Sequence, residues 1–357
     1  MLNEPGGRGA SEDREAPLPA TERLRALPKA ELHVHLDGSL RPATMAELAR
    51  ERGAPLPTYD PRGLAGHMLV SDAHSLEEYL ARFVLTLGVM QDEEALERIA
   101  YELVEDHARE NVRYLEVRFC PALCTRDGLA VHQVLEAVLR GVARGERDFK
   151  VRARVIVCAL RTLDPMVSVE MAALALAYRD RGVAAFDLAG AEAGNPVVDH
   201  LEAFRLVSEA GRPCTVHAGE GFGPASIRQA VHLAGASRIG HGTRLHEDAE
   251  LETLVLDRQI PLEVCLTSNV QTTVAPSYAH HPARRYLDRG IPVVLCTDNR
   301  LMSGVTVTDE YVHARDHLGF GWDELVRVAR TGFDVAYVDA WERAVLLEAF
   351  DRDVAGL

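Results

Sequence analysis

Short apolar, largely β-branched runs recur along the chain at residues 32–37, 112–120, 151–160, 183–189, 214–217, 237–241, 261–266 and 292–296. Between most of them lie stretches whose apolar residues fall at helical spacing: 95–110, 129–144, 166–181, 198–210 and 226–234. Continuous apolar runs are what strands buried on both faces look like, and their alternation with helices predicts parallel strands joined by crossovers. Eight such runs predict an α/β chain folded as a (β/α)8 TIM barrel. An open doubly wound sheet carries the same periodicity, but no glycine-rich phosphate fingerprint accompanies it here. The connection 38–111 is too long for a simple crossover, so extra helices are expected after the first strand, among them 75–85. Residues 308–357 read as further helices that close the outer ring.

Polar chemistry gathers at the ends of the first, fourth, fifth, sixth and eighth runs, the end at which a barrel builds its active site. His33 and His35 flank Val34, and the two-residue period of a strand turns both imidazoles to one side. Alone, such a pair can equally line a polar strand face, so a metal role for it depends on the later runs. His217 and Glu220, His241 between Gly240 and Gly242, and Asp298 followed by Asn299 close three of them. Imidazole nitrogen and carboxylate oxygen suit a catalytic zinc, and His33, His35, His217 and Asp298 would leave a position open for water. Iron, cobalt and manganese accept the same donors.

Taken together and in order, Glu31 to Ser39, Asp187 to Gly190, Val216 to Glu220, Ile239 to Thr243, Thr267 to Asn269 and Thr297 to Asn299 resemble the adenosine deaminase family of metal-dependent amidohydrolases. The resemblance implies one zinc ion per chain and hydrolytic deamination of adenosine, and of 2'-deoxyadenosine, to inosine-type products and ammonia. It implies His33, His35, His217 and Asp298 as ligands, with water activated there adding to purine C6. Glu220 would hand a proton to purine N1, which requires burial to keep that carboxyl protonated. His241 would hydrogen-bond the attacking oxygen rather than ligate metal. Asp37 would bind a sugar hydroxyl, the backbone N–H of Gly190 would contact purine N3, and Tyr79, Leu80 and Phe83 would line the pocket. A core stripe is the plain alternative for those last three. Ser268 and Asn269 match a supporting segment.

Asn299 departs from the family pattern, in which a second aspartate follows the metal ligand and contacts purine N7. An asparagine cannot exchange that proton, but its amide can donate to N7 while its carbonyl faces protein. The departure keeps alternative substrates open: adenine, a modified nucleoside or a nucleoside-like intermediate. A purine-binding protein without catalysis is the alternative from another class. His232, His246, His280 and His281 sit in no motif that calls for metal.

Composition narrows the setting. With 357 residues, 47% hydrophobic and 26% charged, the chain can bury a large core, and a net charge of −15 disfavours nucleic-acid or anionic-membrane partners. The six cysteines lie mostly inside apolar runs without paired-cysteine spacing, which predicts buried thiols and a cytoplasmic setting. Residues 1–20, rich in Gly, Pro, Glu and Arg, read as a disordered tail ahead of one domain, 21–357. No stretch is long and apolar enough to span a membrane. Oligomeric state is not readable from the pattern.

Overall fold

The eight apolar runs become eight parallel strands: β1 (Lys29–His35), β2 (Val112–Phe119), β3 (Arg152–Leu160), β4 (Val183–Ala189), β5 (Thr215–Ala218), β6 (Arg238–His241), β7 (Leu262–Val264) and β8 (Val293–Leu295). They are seen in a computed structural model that describes residues 18–70 and 76–357. Strands β1 to β4 pair in sequence order, as do β5 to β8. Two isolated parallel bridges join the halves, Phe186 with Cys214 and Val34 with Asp298. At the second seam Asp298 N–H donates to the His33 carbonyl at 2.9 Å and His35 N–H donates to the Asp298 carbonyl at 2.7 Å. The sheet is thus a closed barrel, which excludes the open doubly wound alternative.

Helices form where the spacing indicates, with their ends set by local chemistry. Helix Glu93–Ala108 starts at Asp92, whose side chain accepts from Ala95 N–H, and carries Glu93 and Glu94 in its first turn. Helix Pro165–Ala177 opens with Pro165 behind an Asp164 cap. Helix Trp322–Asp334 packs across β1 and β8, so the C-terminal helices cover the seam of the barrel. The region read as a tail lies outside the described residues up to 17; helix Ala20–Ala26 begins at its last residue.

Two expectations need correction. The seventh run ends as a strand at Val264, because the Glu310 carboxylate accepts the N–H groups of Leu266 and Thr267 and so starts helix Leu266–Gln271. The segment 75–85, read as one helix, is two short helices, Leu76–Leu80 and Phe83–Leu87, and Ser75 lies outside the described residues. Beneath the histidines the barrel interior holds a charged network. Arg118 reaches Asp187 at 3.1 Å and Glu263 at 2.8 Å, while Arg238 pairs with Glu263 at 2.7 Å and with Glu116. All five are within 1% of complete burial. Each charge there faces opposite partners, which offsets a desolvation cost that a lone buried ion could not survive.

All six cysteines are buried with free thiols, as the sequence predicts. Among the described residues no helix is long and apolar enough to cross a membrane.

Candidate active site

The C-terminal mouth of the barrel brings together residues that are far apart in sequence. Single donor atoms of His33, His217, His241 and Asp298 all lie within 4.8 Å of one another. His35 stands among them, its Nε2 3.0 Å from His217 Nε2 and 3.4 Å from Asp298 Oδ1. His33 Nε2 is 3.4 Å from the same Asp298 oxygen and is buried without a hydrogen-bond partner. Two backbones bend into the left-handed region to aim these groups, His241 at φ 64° and Asp298 at φ 60°. Such conformations cost on the order of 1–3 kcal/mol each and concentrate at functional sites.

Carboxylates set the outer faces of the rings. Glu263 accepts from His33 Nδ1 at 2.9 Å, and Asp187 accepts from His217 Nδ1 at 3.1 Å. With Nδ1–H donating outward, both rings turn an Nε2 lone pair into the cluster. Arg118 touches both carboxylates, so one guanidinium fixes the supports of two histidines. Ser268 donates to Asp298 Oδ2 at 2.7 Å and leaves Oδ1 facing the rings. Glu31, another buried support, accepts from His33 N–H at 3.0 Å and from Thr297 N–H and Oγ1 at 3.0 and 2.8 Å.

Burial, the largest influence on each, holds the imidazoles of His35, His217 and His241 below the usual histidine range. For Asp298 burial pushes the other way, but His33, His241 and His35 outweigh it and hold the carboxyl well below its ordinary value. His33 goes the other way: burial and Arg118 lower it, but the Asp298 and Glu263 carboxylates outweigh them and raise it above the usual histidine range. Neutral imidazoles at His35 and His217 beside an ionised carboxylate are the protonation states that metal binding requires, and a cation at the cluster would displace any proton on His33 Nε2.

Glu220 follows His217 through a turn that only glycine permits. Gly219 has φ 74°, and a Cβ there would stand 2.4 Å from Ile227. The Glu192 carboxylate then accepts the N–H groups of Gly219, Glu220 and Gly221 at 3.0, 2.8 and 3.1 Å, pinning the turn. Thr272 Oγ1 donates to Glu220 Oε1 at 3.3 Å, and Glu220 Oε2 lies 3.4 Å from His241 Nε2.

Above this floor opens a cavity of about 670 Å³. Asp37, Tyr79, Leu80, Phe83, Gly190 and Asn299 line it, together with His35, His217, Glu220, His241 and Asp298. Of the site residues named from sequence only His33 lies beneath it, fully buried. Burial pushes the Asp37 carboxyl up to about 7, and its Oδ1 has no partner. Tyr79 is more than an apolar wall, since its hydroxyl meets Ser303 Oγ at 3.1 Å and is also bonded by the Asn299 side chain. Asn299 differs from expectation: its carbonyl oxygen, expected to face protein partners, is buried without one. It presses on Gly38, where a Cβ would fall 1.8 Å from that oxygen.

Sequence reasoning missed Arg118, Glu192 and Glu263, and it gave no role to Glu31 or Asp187 although both stand in matched segments. A charged residue inside a run otherwise apolar, as at Glu263 or Arg118, is the signal that could have found them. His232, His246 and His280 take no part in the cluster.

The family model for adenosine deaminase matches residues 28–353. A probable adenosine deaminase of Dictyostelium discoideum is 42% identical over 88% of this chain, which spans 41% of that protein's own length. An adenosine deaminase of Mycobacteroides abscessus is 42% identical over 90% of this chain and 93% of its own. Among solved structures, adenine deaminase from Arthrobacter aurescens superposes with a TM-score of 0.86 at 28% identity, covering 92% of this chain and 99% of the other. A zinc-bound amidohydrolase from Burkholderia ambifaria gives 0.85 at 28%, covering 96% and 95%. The N6-mAMP deaminase of Arabidopsis gives 0.84 at 30%, covering 93% and 99%.

Proposed function

Because the chain belongs to the adenosine deaminase family, we propose that it hydrolyses adenosine and 2'-deoxyadenosine to the corresponding inosines and ammonia, with one Zn2+ held by His33, His35, His217 and Asp298. The observation that carries this reading is the convergence of Glu220 and His241, 3.4 Å apart, on the imidazole and carboxylate donors at the floor of one cavity. The donor set fits a zinc ion: His33 Nε2 is orphaned, and the His35 and His217 Nε2 atoms face each other at 3.0 Å beside an ionised carboxylate. When bound, a divalent ion there lowers the pKa of water toward neutrality and so supplies a nucleophile.

The residues of the chain do the rest. Glu220 gives a proton to purine N1, which withdraws electrons from C6 as the water oxygen adds there; of that water's two protons one leaves with the exocyclic nitrogen as ammonia and the other returns to the Glu220 carboxylate. His241 stabilises the charge that gathers on the incoming oxygen. Asp37, which lines the cavity and has one carboxyl oxygen without a partner, accepts a hydrogen bond from a ribose hydroxyl, which favours a nucleoside over a free base. Gly190 and Asn299 border the ring, and Leu80 and Phe83 exclude water around it. Among the described residues lining the cavity Arg126 is the one arginine, and it is exposed at the rim, so no built phosphate pocket favours a nucleotide.

Steady-state rates on adenosine, 2'-deoxyadenosine, adenine, AMP and N6-methyl-AMP test the assignment. Adenosine is expected to lead, with adenine at least ~100-fold lower in kcat/KM because its binding leaves Asp37 unpaired. A preference for adenine or AMP would overturn the substrate.

A further inference from the structure

Two histidines of the cluster have their outer nitrogens against carboxylates; His241 does not. Its Nδ1 lies 3.1 Å from the side-chain amide nitrogen of Asn269. Which way that amide points is settled further out. Helix Ala283–Arg289 begins just after His281, and the backbone N–H of Ala283 donates to His281 Nδ1 at 3.1 Å. A backbone N–H can only donate, so His281 Nδ1 carries a lone pair and the proton of this neutral ring is on Nε2. Burial, which holds His281 down to about 3, agrees. His281 Nε2–H therefore donates to Asn269 Oδ1 at 3.1 Å, and the Thr243 hydroxyl donates to the same oxygen at 2.8 Å.

We infer that Asn269 and His281 are positioning residues that fix the proton of His241 on Nε2. With two donors on Oδ1, the amide of Asn269 must present N–H to His241 Nδ1, which then accepts. His241 Nε2–H, directed toward Glu220 and the cavity floor, can donate to the incoming oxygen but can neither ligate a cation nor take a proton from water. The opposite outer partners explain the division of labour: acceptors behind His33 and His217 make them ligands, and a donor behind His241 makes it a hydrogen-bond donor. The tautomer follows from this hydrogen-bond chain alone, whereas its catalytic consequence rests on the deaminase reading.

The test is the 15N spectrum of histidine-labelled protein, recorded with and without zinc, the His241 signals being assigned by their loss in His241→Gln. The proton is expected on Nε2 in both states. Asn269→Asp has the same shape but turns the donor into an acceptor, and should move the proton to Nδ1 and lower kcat about 10²–10³-fold, the usual cost of losing one such donor, with KM within about 3-fold. His281→Ala should lower kcat as well, and His281→Gln, whose amide N–H can reach Asn269 Oδ1, should restore most of it. A wild-type His241 protonated on Nδ1 overturns the inference outright, whatever the variants do. So does a folded Asn269→Asp protein that keeps the proton on Nε2 and kcat within about 3-fold. Because the spectrum needs no turnover, absence of deaminase activity would remove the function and leave the tautomer assignment standing on its own data.

Discussion

Glu220→Gln is expected to bind zinc as the wild type does and to lose about 10⁴-fold in kcat, the upper end of what a positioned general acid supplies. The carboxyl is buried, its turn is held by three backbone N–H groups that donate to the Glu192 carboxylate, and its oxygens face Thr272 and His241. A glutamine keeps that shape and most of those contacts but has no proton to give to purine N1. The loss should therefore fall on kcat and kcat/KM together, with substrate binding little changed. Single-turnover rates with a metal assay on the same sample check it, and a variant turning over at near the wild-type rate would sink the assigned role.

Replacing Asp298 should act one step earlier, on the metal. Asp298→Asn retains a residue type that tolerates φ 60° and can still accept from Ser268, but it removes the only carboxylate among the proposed ligands. Zinc content after dialysis against a chelator is expected to fall from about one per chain to a small fraction, and activity to fall with it. Thermal denaturation gives a second reading: the wild type should gain Tm as zinc is added, because only the folded state presents the site, and the variant should not respond at comparable concentrations. A variant that kept both its zinc and the Tm shift would remove Asp298 from the ligand set.

The pattern along the chain carried the architecture because buried parallel strands leave an apolar run at each position, and the eight runs match the eight strands to within a few residues at their ends. It carried the floor of the site as well, since His33 and His35 alternate inside the first run while His217 and His241 end later ones and Asp298 follows the last. What it could not carry were partnerships across the barrel. Nothing near Glu263 in sequence says that it supports His33 while holding Arg118 and Arg238, or that Asp187 does the same for His217. Asn269 was legible as a supporting residue, but the direction of its hydrogen bonds depends on His281, twelve residues on, and on where helix Ala283–Arg289 begins. The break after Leu80 and the early end of β7 were hidden for a similar reason: apolar content continues through both while capping and tertiary contacts decide the backbone. Asn299 shows the same limit at the level of one side chain, since its residue type gave the possible hydrogen bonds but not which atom would be left without a partner.

The most direct test of hydrolytic deamination is the fate of adenosine in 18O-enriched water with zinc-loaded wild-type protein, followed by mass spectrometry and an ammonia assay. The expected result is inosine carrying one 18O at C6 and one ammonia released per inosine formed. No ammonia from adenosine or any other 6-aminopurine, with a full equivalent of metal bound, would contradict it.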